Sequence, residues 1–334
     1  MTNKKKIVFL SATKHGLDLI DLINKKYKIH YVITPKLKKK SSSERINAKK
    51  FCIKNKIKYK ELSSYSNIDE LKIFFKKIDV DVLICISWQR IIPKWLIDIP
   101  KVASLGAHGS HEGIYMGRGR SPMNWCLLGG KKKFILSLFK INKNDADSGP
   151  EIFREKILIN KKDNINDLYK KSYASLAKMI LKFLITKNIK YKFYNGIYRF
   201  LPKLVPNDGY IDWNRTDLDL YNFIRSKISP YPNAFTYLKK KKFFIKSASL
   251  IKINYEGSYK PGEIISIYNE RKVVVKTKTR PLIVELNDMI KNNIKKGDVF
   301  ISTNFKKQMR QIIKRHYKQF PKNKLNKMII NLAK

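Results

Sequence analysis

Apolar and polar positions fall into blocks that read as strands alternating with helices. Residues 6–11 (KIVFLS) form a short apolar run, the mark of a strand covered on both faces. Leu17, Ile20, Leu22 and Ile23 then recur at roughly helical spacing. Residues 29–34 (IHYVIT) predict a second strand, 47–55 a helix, and 57–59 a short extended piece. Residues 68–78 predict a helix with Leu71, Phe74 and Phe75 on one face. The strongest buried strand is 80–87 (VDVLICIS). It is followed by a loop at 88–93 (WQRIIP), a helical turn at 95–97 and a fourth strand at 102–105. Such alternation implies βαβ units, hence an α/β domain whose parallel sheet has helices on both faces.

Further along, 152–159 predict a strand and 164–187 a long helix with Leu168, Leu176, Met179, Ile180, Phe183 and Leu184 on its apolar face. A proline-bearing connection follows, then a helix at 218–229 stopped by Pro230 and Pro232. Short runs at 235–238, 243–250, 262–268, 272–278 and 282–286 predict a small β-barrel. Residues 305–334 return to helical spacing. The pattern divides the chain into an α/β domain at 1–190, a linker at 191–206, a β-barrel domain at 207–304 and a basic helical tail at 305–334.

Composition narrows the class. A hydrophobic share of 43% over 334 residues excludes wholesale disorder and supports two cores. The three cysteines (Cys52, Cys85, Cys126) form no CxxC and no even framework, which argues for a reducing compartment and against disulfides or a metal site. No apolar run is long enough to span a membrane, and the apolar start is too short for a signal peptide, so the expected location is cytoplasmic. The net charge of +46 is spread through predicted strands and helices alike, which reads as compositional bias rather than a nucleic-acid stripe. The tail is the exception, because 305–334 hold no Asp or Glu at all. If the tail is only a compositional extreme, its removal leaves the chemistry of the rest of the chain intact. No sequence signal fixes an oligomeric state.

Candidate chemistry concentrates in 104–150. That stretch holds eight of the 14 glycines and two of the five histidines, so backbone there must bend sharply or approach a ligand. A His and an Asp joined by such a loop can move protons near neutral pH.

The run GRGRSPMNWCLLGG, preceded by GAHGS and followed by DADSGP, resembles the 10-formyltetrahydrofolate-dependent formyltransferases. The resemblance extends to ISWQRIIP, to PNDGYIDW with YNFIRSKISPYPNAFTYL, and to GDVF, covering roughly residues 5 to 302. It implies a Rossmann-like formyltransferase domain followed by an OB-like barrel, with 10-formyltetrahydrofolate as formyl donor and no metal. On that resemblance His108 and Asp147 are the catalytic pair, and Gly106 stands where the family has Asn. His111, in a segment two residues longer than the family's, competes for the histidine role. Trp88, Gln89, Arg90, Ile91, Ile92, Ile141 and Asp145 would line the folate site, and Arg118, Gly119, Arg120 and Ser121 the acceptor site.

The chemistry asks for an acceptor of the amine proton, which His108 can supply at an unperturbed pKa of about 6.5. Asp147 can orient and stabilise its imidazolium, and a hydrogen-bond donor must meet the developing oxyanion. The wording RGRSPMNW favours an amino-sugar nucleotide or another small amine as acceptor. Two other readings remain open: methionyl-tRNA formylation, which suits the basic tail, and an inactive folate- or RNA-binding homologue, which the missing Asn motivates.

Overall fold

A computed structural model describes residues 5–36, 48–64, 68–88, 90–143, 146–252, 257–290 and 294–334. Its elements in chain order begin β1 (Ile7–Leu10), α1 (Lys14–Asn24), β2 (Tyr31–Pro35), α2 (Ala48–Lys54), β3 (Lys58–Leu62), α3 (Ile68–Phe75), β4 (Val82–Cys85) and α4 (Lys94–Ile97). They continue with β5 (Ala103–Ser110), β6 (Arg118–Gly119), α5 (Pro122–Leu128), β7 (Lys133–Lys140), β8 (Glu151–Leu158) and α6 (Ile165–Ile185). The second half holds β9 (Arg199–Leu201), α7 (Asp217–Arg225), β10 (Ala234–Leu238), β11 (Lys241–Leu250), β12 (Ile264–Ile267), β13 (Lys272–Val275) and β14 (Leu282–Leu286). It closes with α8 (Phe305–Gln319), β15 (Lys324–Leu325) and α9 (Lys327–Ala333).

The chain forms two compact units that interleave in sequence: 1–115, 135–157 and 169–196 make one, and 116–134, 158–168 and 197–334 the other. The first is built on a seven-stranded sheet in the order β3-β2-β1-β4-β5-β7-β8. Its strands from β3 to β5 are parallel, as the apolar runs require, and all four residues of β1 are buried. β7 adds to β5 in the antiparallel sense. α1 starts where Thr13 accepts the Gly16 N–H, and buries Leu17, Leu19, Ile20 and Ile23.

His30, just before β2, makes a titratable contact with β1. The His30 Nδ1 accepts the Ile7 N–H at 3.1 Å, a bond only the neutral ring can make. Burial first, then Lys28 and Lys6, lower the His30 pKa. A pKa depressed in the folded state means that the unfolded chain binds the proton more readily. Stability is therefore full above pH ~6.5 and falls as pH drops through it. Denaturant midpoints from pH 7.5 to 5 should decline, and the His30→Asn variant should flatten that decline.

The second unit contains a five-stranded antiparallel sheet, β10-β11-β14-β13-β12. Bridges from Tyr237 to Ile301 and from Glu263 to Val299 tie the 299–301 segment to both of its outer strands, giving the small barrel. The stretch expected as a basic helical tail is helical and contributes to this unit's core. Phe305, Met309, Ile312, Leu325, Met328 and Ile329 are buried in one cluster with Trp213, Phe223 and Trp125. β15 pairs with β9, which pairs with β6. Asn326, fully buried, donates to the Met116 carbonyl and accepts the Met328 N–H. Helical spacing at 305–334 thus marks an amphipathic face. Charge concealed it, because Lys306, Lys307, Arg310 and Lys314 all lie on the exposed side.

Candidate active site

The strand expected at 102–105 runs on to Ser110. Its parallel pairing with β4 ends at Leu105, whereas β7 accompanies it to the end. Gly106 and His108 therefore stand just past the carboxyl end of the parallel ladder, where ligands bind in such sheets. The sequence reading missed β7, although its run FILSLF was as apolar as the strands it recognised.

Asp147 is delivered by the connection from β7 to β8. Lys140 N–H donates to the Pro150 carbonyl at 3.1 Å, and Asn142 N–H to that of Ser148 at 3.1 Å. Asp147 has φ +50°, and Gly149 has φ +124°. A Cβ on Gly149 would lie 1.9 Å from the Lys140 carbonyl oxygen, so the position admits only glycine. This connection brings Asp147 Oδ1 to 3.6 Å from His108 Nδ1, with the side chains 32% and 9% exposed. That is too long for a direct hydrogen bond. It is close enough for the carboxylate to stabilise an imidazolium and to tighten on substrate binding.

His111 is also buried, and its Nε2 lies 3.3 Å from the carboxylate of its neighbour Glu112. The histidine that approaches Asp147 at the strand end is His108. The Cys85 thiol at the end of β4 does not compete in proton chemistry, since burial raises its pKa.

Gly106 shows what replaced the expected Asn. A Cβ there would meet Phe139 Cζ at 2.7 Å and Ile141 Cγ1 at 3.2 Å. Phe139 is the cross-strand partner of Gly106 and is 3% exposed, so its ring occupies the space an Asn side chain would need. Gly106→Asn alone should overpack the site and lower stability by about 1–3 kcal/mol, read as a loss in thermal midpoint. The Gly106→Asn/Phe139→Ala pair should recover part of that loss. An unchanged midpoint in the single variant would show that the ring yields freely.

The β4–α4 loop leaves the ladder at Cys85. Ser87 has φ +60°, and its hydroxyl shares a 2.6 Å hydrogen bond with the Tyr173 hydroxyl. Trp88 and Ile92 are half-buried against the first unit's core, Arg90 is exposed, and Ile91 is 81% exposed. An apolar side chain held out at a strand's carboxyl end suits the face of a flat heterocycle. Ile141 is half-buried and donates its N–H to the Ser104 carbonyl at 2.8 Å. Gln89 and Asp145 lie outside the described residues.

Arg118 to Ser121 belong to the second unit. Arg118 is 2% exposed, with its guanidinium 3.8 Å over the Tyr198 ring, so it is built into that unit rather than held out to solvent. Arg120 is exposed and donates its N–H to the Leu201 carbonyl at 3.1 Å. Gly119 has φ +101°, and Ser121 is the left-handed N-cap of α5. Asn124 and Trp125 anchor α5, through Asn124 Nδ2 to the Ser226 carbonyl and Trp125 Nε1 to the Pro202 carbonyl. Among the described residues no group of side chains is arranged to hold a metal ion, and no helix is long and apolar enough to cross a membrane.

The formyl transferase family model matches residues 4–184, and the formyl transferase C-terminal domain model matches residues 203–304. A bifunctional polymyxin resistance protein ArnA from Wigglesworthia glossinidia brevipalpis is 32% identical over 264 residues, 74% of this chain but only 39% of that relative's length. A methionyl-tRNA formyltransferase from Mycoplasma capricolum is 28% identical over 85% of this chain and 90% of its own. Among solved structures, an N-formyltransferase from Helicobacter canadensis, bound to folinic acid and dTDP-3-aminofucose, superposes with a TM-score of 0.59 at 16% identity. That match covers 84% of this chain and 99% of that one, and supports the fold. The chain belongs to the formyl transferase family, carries both of its domain types in order, and is an enzyme of formyl transfer.

Proposed function

We propose that the chain moves the formyl group of 10-formyltetrahydrofolate onto a primary amine, with an amino-sugar nucleotide or other small amine as acceptor. The observation that carries the chemistry is the 3.6 Å approach of His108 and Asp147 at the end of the parallel ladder. The donor supplies an activated formamide carbon: the amine nitrogen bonds to it, its bond to N10 breaks, and N10 leaves with a proton while the acceptor loses one. His108 takes the amine proton, and Asp147 steadies the imidazolium so formed. The β4–α4 loop, with Ile91 held out, seats the pterin. With Phe139 filling the place of a side-chain amide, oxyanion stabilisation falls to a backbone N–H, a water or His108 itself. One such donor is worth about 3 kcal/mol in a typical acyl-transfer site.

The acceptor preference rests on the RGRSPMNW wording and on the kinship with ArnA and with the enzyme bound to an amino-sugar nucleotide. A second reading, methionyl-tRNA as acceptor, draws on relatives of that name matched along nearly their whole length, and on the exposed basic side of α8. Purified protein with 10-formyltetrahydrofolate should formylate at least one member of an amino-sugar nucleotide panel and leave charged initiator tRNA unmodified. Transfer to the tRNA alone would replace the first acceptor by the second. Transfer to neither would favour a binding homologue.

A further inference from the structure

His108 has a neighbour that the proton chemistry above does not use. In the antiparallel register of β5 and β7 it stands directly opposite Ser137. Opposed residues share one face of the sheet, with Cβ atoms about 4.5–5.5 Å apart. Ser137 is fully buried, and its hydroxyl donates to Glu151 Oε2 at 2.5 Å. Glu151 is itself 4% exposed, and Arg154 Nε reaches its two carboxylate oxygens at 2.9 and 3.1 Å. A carboxylate so deeply buried is costly unless paired and hydrogen-bonded, and here it is both.

The direction of these bonds has a chemical meaning. A serine hydroxyl has one proton and two lone pairs. An ionised Glu151 can only accept, so it claims the Ser137 proton and leaves Ser137 with lone pairs alone for anything else on that face. A residue in that position favours an N–H pointing towards it over a bare ring nitrogen. We infer that the Ser137–Glu151–Arg154 chain is a positioning device for His108. It holds the ring's tautomer and orientation, and leaves Nδ1, 3.6 Å from Asp147, as the nitrogen that takes the amine proton. The functional part of this inference rests on the formyl-transfer reading above, but its structural part does not.

Two readouts separate those parts. The imidazole nitrogen-15 spectrum of His108, assigned by loss of its signals in His108→Ala, should report one dominant tautomer in the folded protein without substrate. Ser137→Ala and Glu151→Gln should each shift the His108 nitrogens towards averaged values, while Ser137→Thr, which keeps the hydroxyl, should not. In formyl-transfer assays the first two variants should lose about 10–100-fold in kcat with KM for both substrates within about twofold. Their double variant should be no worse than the poorer single one, as members of one chain behave. If Glu151→Gln folds poorly, Glu151→Leu combined with Arg154→Leu removes the charges together and should give the same kinetic loss in a stable protein. Unchanged His108 signals in Ser137→Ala and Glu151→Gln would overturn the inference. So would kinetic losses that simply add, or that fall on KM alone. A protein inactive on every acceptor would fail the proposed function while the spectra still decided this point.

Discussion

Replacing His108 by alanine lowers formyl transfer by about 10²–10⁴-fold, the range general acid–base catalysis commands. The fold should survive, because His108 stands beyond the last pairing of β5 with β4. Steady-state rates at saturating donor, with a matched thermal midpoint as control, check this. Asp147→Asn should fall in the same direction and by less, since a neutral amide keeps the turn but gives up the charge that steadies the imidazolium. His111→Ala is the informative comparison. Its ring pairs with Glu112 rather than closing on Asp147 in the geometry described, so transfer should stay within about threefold of the parent. If His111→Ala were the inactive variant and His108→Ala the active one, the assignment of the catalytic pair would be reversed.

Deleting residues 305–334 is expected to cost more than any point change. The deletion removes Phe305, Met309, Ile312, Leu325, Met328 and Ile329 from the core of the second unit. Each buried side chain of this kind is worth about 1.5–3 kcal/mol. Together they match or exceed the roughly 5–15 kcal/mol of net stability that a domain possesses. The deletion also strips β15 from β9 and leaves the Met116 carbonyl without Asn326. The truncated protein should therefore lose cooperative unfolding of that unit, seen in the fluorescence of Trp125 and Trp213, which are fully buried in the intact chain. An unaltered midpoint would return the tail to the status of an appendage. The milder change Asn326→Ala, which breaks the cap of α9 as well as the bond to Met116, should move the same signal in the same direction.

The parallel half of the first sheet was legible in the sequence because a strand covered on both faces must be apolar throughout, as IVFL and VLIC are. The approach of Asp147 to His108 was legible through its glycines, since the chain that returns Asp147 to His108 demands Gly149. What escaped was whatever depends on a partner strand. Without β7 in view, Gly106 was a missing amide. With it, Gly106 is the room Phe139 needs. Ser137 and Glu151 carried no local signal: one polar residue in an apolar run and one acid after a proline acquire meaning only when the hairpin brings them together. Charge misled at the tail, where ten basic residues hid an apolar stripe at positions 305, 309 and 312.

The small sheet β6-β9-β15 joins residues near 118, 200 and 325, and this has a consequence for how the chain is made. All seven strands of the first sheet have been synthesised by residue 158, so that sheet can assemble early. The segment 116–134, translated in the middle of it, cannot. Its Arg118, Asn124 and Trp125 find their partners at residues 198–226, and its Met116 carbonyl waits for Asn326. Contacts so distant in sequence form slowly and late. From residue 128 until residues 198–226 have been made, the chain therefore carries the apolar α5 without these partners, a stretch that invites chaperones or aggregation.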